Sequence, residues 1–163
     1  MAISLQDREG IRDLIARYSQ TIDFQDIEGL IDCFAPDGSF AASPQQENHA
    51  GSHVGHENLR DWAKQVFAAC EGHVRHSSLN IVIEGDGDRA WASSYALITR
   101  DYGSAYGKGQ LPHASIVSTG VYRDELIKRD GRWYFQTRAF RFDGFPEVLE
   151  LVGKPFDVRA TFA

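Results

Sequence analysis

Asp124 to Arg138 reads DELIKRDGRWYFQTR. Its centre, Asp130-Gly131, is a tight-turn dipeptide, because both residues tolerate the positive φ that a two-residue hairpin demands. Residues 113–128 lead into the turn as one long strand, and residues 132–142 leave it as another. Strict alternation in the second strand puts Trp133, Phe135, Thr137 and Ala139 on one face and Tyr134, Gln136, Arg138 and Phe140 on the other. Working backwards, Asp86-Gly87 marks a second hairpin between Ile81-Val82-Ile83-Glu84 and Arg89-Ala90-Trp91-Ala92. Residues 74–84 and 89–102 are its strands, and the glycine-rich stretch Gly103 to Gly109 links the two hairpins. The second half is therefore a meander of long antiparallel strands.

The first half has the helical period instead. Ile11, Leu14, Ile15, Tyr18 and Ile22 recur at spacings of three and four, which predicts an amphipathic helix over 7–22, with Asp7 or Ser4 as N-cap. Asp26 opens a second helix carrying Ile27, Leu30, Ile31 and Phe34 on one face, and Pro36-Asp37-Gly38 stops it in a turn. Ser39–Ala42 reads as a short strand and 43–55 as a loop of about a dozen residues, long for a compact domain. Gly55 to Gly72 is a third helix with Leu59, Trp62, Ala63, Val66, Phe67 and Cys70 as its apolar stripe. The tail 143–163 holds Phe145, Val148, Leu149, Leu151 and Val152, enough for one short helical piece. The expected class is α+β: three N-terminal helices packed on a strongly curved mixed or antiparallel sheet, forming a cone with an interior suited to a small molecule.

Composition agrees with one domain over 1–163, its core at about 5–142. Hydrophobic residues are 42% and charged residues 25%, which excludes disorder as the main state. The net charge of −6 argues against nucleic acid or an anionic membrane as partner. No apolar run is long enough to span a bilayer, and Met1 to Gly10 lacks the apolar core of a secretory signal, so a cytoplasmic location is expected. Two cysteines, Cys33 and Cys70, make no disulfide framework and read as packed helix residues.

Three segments carry a family resemblance. DIEGLIDCFAPDGSF, ending at Phe40, resembles the second-helix text of the SnoaL-like, nuclear-transport-factor-2-like superfamily. GHENLRDW, Gly55 to Trp62, is similar to the start of its third helix, and the 124–138 hairpin to its closing one. Within that superfamily the chain looks most like the subset holding scytalone dehydratase, lindane dehydrochlorinase and bile-acid 7α-dehydratase. The resemblance implies an Asp–His dyad at Asp23, in TIDFQD, and His76, in VRHSSLN, with Tyr18 in the same pocket and Arg138, in FQTR, as a further site residue. The 43–53 region and the tail after Phe142 depart from the pattern.

These residue types suit proton abstraction. A neutral His takes a proton near pH 7 if a buried carboxylate fixes its tautomer and offsets the imidazolium. Tyr18 can donate to a substrate oxygen, and Arg138 can stabilise developing negative charge. Arg138 could instead be a surface partner of Asp101 or Glu125. Ser78 and Asn80 alternate with His76 and so share its face, while Trp62, Phe40 and Tyr95 are candidate apolar walls. The resulting expectation is a cofactor-independent lyase or isomerase acting on a hydrophobic cyclic small molecule. The alternatives are a non-catalytic small subunit of an aromatic-ring-hydroxylating dioxygenase, or a polyketide-type ligand-binding or cyclase protein. A homo-oligomer, dimer or trimer, is expected from a broad apolar outer sheet face. His49, His53 and His56 have spacings of four and three, yet their loop-like setting supports no metal site. Gly107-Lys108-Gly109 lacks the spacing of a phosphate-binding loop.

Overall fold

The computed structural model describes residues 2–42, 51–101 and 114–162. The elements are α1 (Leu5–Asp23), α2 (Ile27–Ile31), β1 (Phe34–Ala42), β2 (Gly51–Val54), α3 (Gly55–Cys70), β3 (Val74–Asp86), β4 (Arg89–Asp101), β5 (Ala114–Arg129), β6 (Arg132–Phe142) and α4 (Pro146–Leu149). The six strands form one sheet in the order β2-β1-β6-β5-β4-β3. Among the described residues only β1 and β6 pair in parallel; the other neighbours are antiparallel. Helices α1 and α3 pack against the concave side, with Ile11, Ile15, Leu59 and Ala63 fully buried there.

Local chemistry sets the boundaries. Ser4 caps α1 by accepting the Asp7 N–H at 3.1 Å, which leaves Asp7 inside the helix. Its carboxylate instead takes the Lys128 ammonium at 2.7 Å and the Trp133 indole N–H at 2.9 Å, fastening the start of α1 to the β5–β6 hairpin. Asp26 caps α2 through the Gly29 N–H. The β5–β6 turn has φ of 52° at Asp130 and 80° at Gly131, the two positive values of a type I′ hairpin.

Several expectations need correction. α2 is a single short helix, and Phe34 is not on it but begins β1. Pro36-Asp37-Gly38 lies inside that strand, where the pairing with β6 skips from Phe34 to Ser39. Proline has no N–H for the ladder, so the turn residues make an irregularity in the strand and not a break. Gly51–Val54 is an edge strand and not loop; residues 43–50, with Pro44 and His49, lie outside the described residues, as does the Gly103 to Gly109 connection.

A bulge in β6 matters most. Glu125 pairs with Thr137 and Leu126 with Phe135, so Gln136 is an extra residue. Alternation restarts there, and Arg138 and Phe140 join Trp133 and Phe135 on the buried side while Thr137 turns away. Opposite this strand, Gly120 accommodates Phe140: a Cβ on it would collide with the Phe140 ring and the Arg141 carbonyl oxygen. Gly120→Ala is expected to cost about 1–3 kcal/mol from overpacking, read as a lowered urea midpoint with an unchanged slope.

The chain after β6 crosses the outer face. Arg123 donates to the Asp157 carbonyl at 2.7 Å, and Val158 is buried. No helix among the described residues is long and apolar enough to cross a membrane.

Candidate functional site

α1 ends at Asp23, close to the start of β3, because Phe24 closes the helix and the chain turns away through Gln25, whose φ is 59°. The Asp23 carboxylate is buried. It accepts the His76 backbone N–H at 2.9 Å (Oδ2) and 3.2 Å (Oδ1). The same carboxylate meets the His76 ring at Nδ1, 2.6 Å from Oδ1. An ionised carboxylate can only accept, so Nδ1 is the donor in this pair, and in the neutral ring Nε2 then holds the lone pair. The backbone bond fixes where β3 passes the helix end, and that placement orients the ring.

His76 borders a cavity of about 320 Å³ between the helices and the curved sheet. Tyr18 and Ile22 of α1, Trp62, Val66 and Cys70 of α3, and Phe40 of β1 form one side. Val74, Ile98, Ser118, Tyr122, Phe140 and Phe142 form the other, with Arg100 also on its boundary. Phe40 and Trp62 stack with ring centroids 4.2 Å apart, and Tyr18 stacks on Phe40 at 6.4 Å. The volume and the largely apolar walls suit a small, mostly apolar molecule.

Burial pushes the Tyr18 phenol well above its ordinary value, so it is a neutral donor at pH 7. Burial raises the Cys33 thiol to about 11, and its Sγ bonds the Gly29 carbonyl. Cys70 packs against the core from α3, as expected, and also lines the cavity, with burial raising its thiol as well. A buried, protonated thiol is a poor nucleophile.

The sequence-derived residues separate into four groups. His76, Tyr18, Phe40 and Trp62 line one cavity, and Asp23 holds His76 without lining it. Arg138 does not line it. The guanidinium is completely buried behind the wall, with its centre 4.3 Å from the Tyr18 ring centroid, 3.8 Å from Tyr122 and 4.6 Å from Phe135. Its ionic partner is Asp124 at 2.8 Å, not Asp101 or Glu125, because the bulge turns Arg138 inward directly across from Asp124. Ser78 faces a groove between α1 and β3 on the other side of His76, lined also by Arg12, Ser19 and Gln20.

Asn80 and Tyr95 fall outside the site. A bulge between Leu79 and Val82 leaves Asn80 exposed with φ of 52°, so it does not share the His76 face. Tyr95 is 56% exposed on the outer face, since Ser94 and Ala96 take the inward positions of β4. Tyr122 was missed by the sequence reading. Counting inward in twos from Leu126 through Asp124 reaches it, and that alternation was the available signal.

His56 bonds the Phe34 carbonyl through Nε2 at 3.0 Å, and His53 lies with its ring 6.1 Å from Trp62. Among the described residues no group of three or more His, Cys, Asp or Glu is placed to hold a metal ion. His49 is outside them.

Known proteins share this architecture. A family model described as a SnoaL-like domain matches residues 4–139. A protein of unknown function with a cystatin-like fold from Nostoc punctiforme is 25% identical, covering 90% of this chain and 98% of its own, with a TM-score of 0.73. An NTF2-like protein with a cystatin-like fold from Novosphingobium aromaticivorans gives 22%, 91%, 90% and 0.74 on the same measures. LinA, a lindane dehydrochlorinase, gives 21%, 85%, 87% and 0.68. The last two likenesses concern the fold. No curated protein matches significantly.

Proposed function

The chain belongs to the SnoaL-like domain family, and from that membership and the Asp23–His76 pair we propose a cofactor-independent lyase of dehydratase type, or an isomerase. The substrate class is a hydrophobic cyclic molecule bearing a hydroxyl or carbonyl oxygen. The observation that carries this reading is one ring: His76 is held at Nδ1 by a buried carboxylate and borders an open, mostly apolar cavity.

In this reading Nε2 of His76 removes a proton from carbon next to the activating group, and Asp23 offsets the imidazolium that forms. The C–H electron pair becomes the new double bond. For elimination the C–O bond breaks and the leaving oxygen takes the proton back from His76, so that water departs and the enzyme is restored. For isomerisation His76 returns the proton to a different carbon. Tyr18 donates to the oxygen on which negative charge develops.

The test is a panel of hydroxylated cyclic ketones incubated in D₂O, followed by mass spectrometry for loss of water or uptake of deuterium. His76→Ala is expected to abolish either signal. Turnover that survives in His76→Ala sinks the proposal.

We also propose self-association through the outer sheet face, where Leu79, Tyr95 and Ile116 are 44%, 56% and 65% exposed. Light scattering should return a mass above that of the 18.2 kDa chain.

A further inference from the structure

Behind the cavity wall lies a charge that the proposed chemistry does not yet use. Arg138 and Asp124 are both within the core, at 0% and 2% exposure. Among the described residues, Nε and Nη2 of Arg138 and Oδ1 of Asp124 find no hydrogen-bond partner. The guanidinium plane is occupied by rings instead, and the nearest is Tyr122. Tyr122 and Tyr18 meet edge to face, 6.3 Å apart, and both line the cavity that His76 borders.

Apolar packing does not explain Tyr122. Phenylalanine would fill the same wall without a hydroxyl to desolvate, and a buried hydroxyl is costly unless it is used. Burial raises the Tyr122 phenol above its ordinary value, and the Arg138 cation, stacked on the ring and interacting with the hydroxyl, pulls against that rise; it favours negative charge on the oxygen and makes the O–H a stronger donor than burial alone would leave it. Arginine suits this place because its flat guanidinium can face rings while one N–H holds Asp124.

We propose that Tyr122 is a second hydrogen-bond donor to the substrate oxygen, beside Tyr18, and that the buried Arg138–Asp124 pair is the positioning group that polarises it. This deepens the lyase or isomerase reading and rests on it. It narrows the ligand class to molecules whose oxygen becomes enolate- or phenolate-like, held by two phenols while His76 works on carbon. Arg138 then acts on the reaction without touching the substrate.

The probe is 2-naphthol, whose ground-state anion has a red-shifted absorption band. Wild-type protein is expected to bind it and to hold a larger anion fraction than free 2-naphthol at the same pH. Tyr122→Phe keeps the ring and the packing. It is expected to weaken binding about tenfold and to lower the bound-anion fraction. Arg138→Lys should lower the anion fraction when Tyr122 is present and leave it unchanged in the Tyr122→Phe background. Failure of wild type to bind, or Tyr122→Phe binding within twofold of wild type with the same anion fraction, overturns the role of Tyr122. An equal effect of Arg138→Lys in both backgrounds overturns action through Tyr122. Binding of 2-naphthol requires no proton abstraction, so a negative result here leaves the His76 reading to the D₂O experiment.

Discussion

Arg138→Met is expected to destabilise the fold by about 3–5 kcal/mol at pH 7, the usual cost of removing one partner from a buried ion pair. For a chain of this length that is roughly 6–20 °C in melting temperature. The cost arises at Asp124. Burial already raises its carboxyl from 3.8 to about 6, against the pull of the Arg138 charge at 2.8 Å. Without Arg138 the carboxyl rises further and must bind a proton to stay inside. A folded-state value above the unfolded one means stability that is present below about pH 4 and lost as pH rises through the folded value. The wild type therefore loses this group's contribution between about pH 4 and 6, and Arg138→Met continues to lose it above pH 6. Urea midpoints of the two proteins should converge on acidification and separate towards pH 8. Adding Asp124→Asn to Arg138→Met should recover more than half of the loss, because no charge then remains to be buried. A constant gap across pH would locate the cost in packing around the lost guanidinium and not in Asp124.

This pair also shows where the sequence was legible. Hairpin dipeptides at Asp86-Gly87 and Asp130-Gly131 are local signals, and the strands they join lie where alternation places them. The period of α1 placed Tyr18 on its buried face, and Asp26 announced its own helix. Bulges are different. Each adds one residue to one strand, and nothing in the alternation of that strand alone records it. Gln136 put Arg138 on the opposite face from Phe135 in the sequence reading, whereas both are buried on one side. The bulge after Leu79 misplaced Asn80 in the same manner. Asp23 and His76 came from family likeness; their approach depends on α1 ending beside β3, a long-range event that no local period specifies.

Asp23→Asn is expected to lower kcat/KM on the first confirmed substrate by roughly 10³–10⁴-fold, about 4–5.5 kcal/mol of transition-state stabilisation. Asparagine is the same size, and its oxygen can keep the His76 backbone N–H that the carboxylate now accepts. Its amide nitrogen would then face Nδ1, donate to it, and move the ring proton to Nε2 on the cavity side. The base would be lost while the ring, the walls and the fold remain. The fall should therefore lie in kcat, with KM changed little, since Phe40, Trp62 and Tyr18 still bind the substrate. His76→Ala should cost at least as much, and the double variant no more than the worse single, because the two residues act as one unit. Multiplying losses in the double variant would mean that Asp23 and His76 work on separate steps. A fall confined to KM would mean that Asp23 shapes binding and that the proton is taken elsewhere.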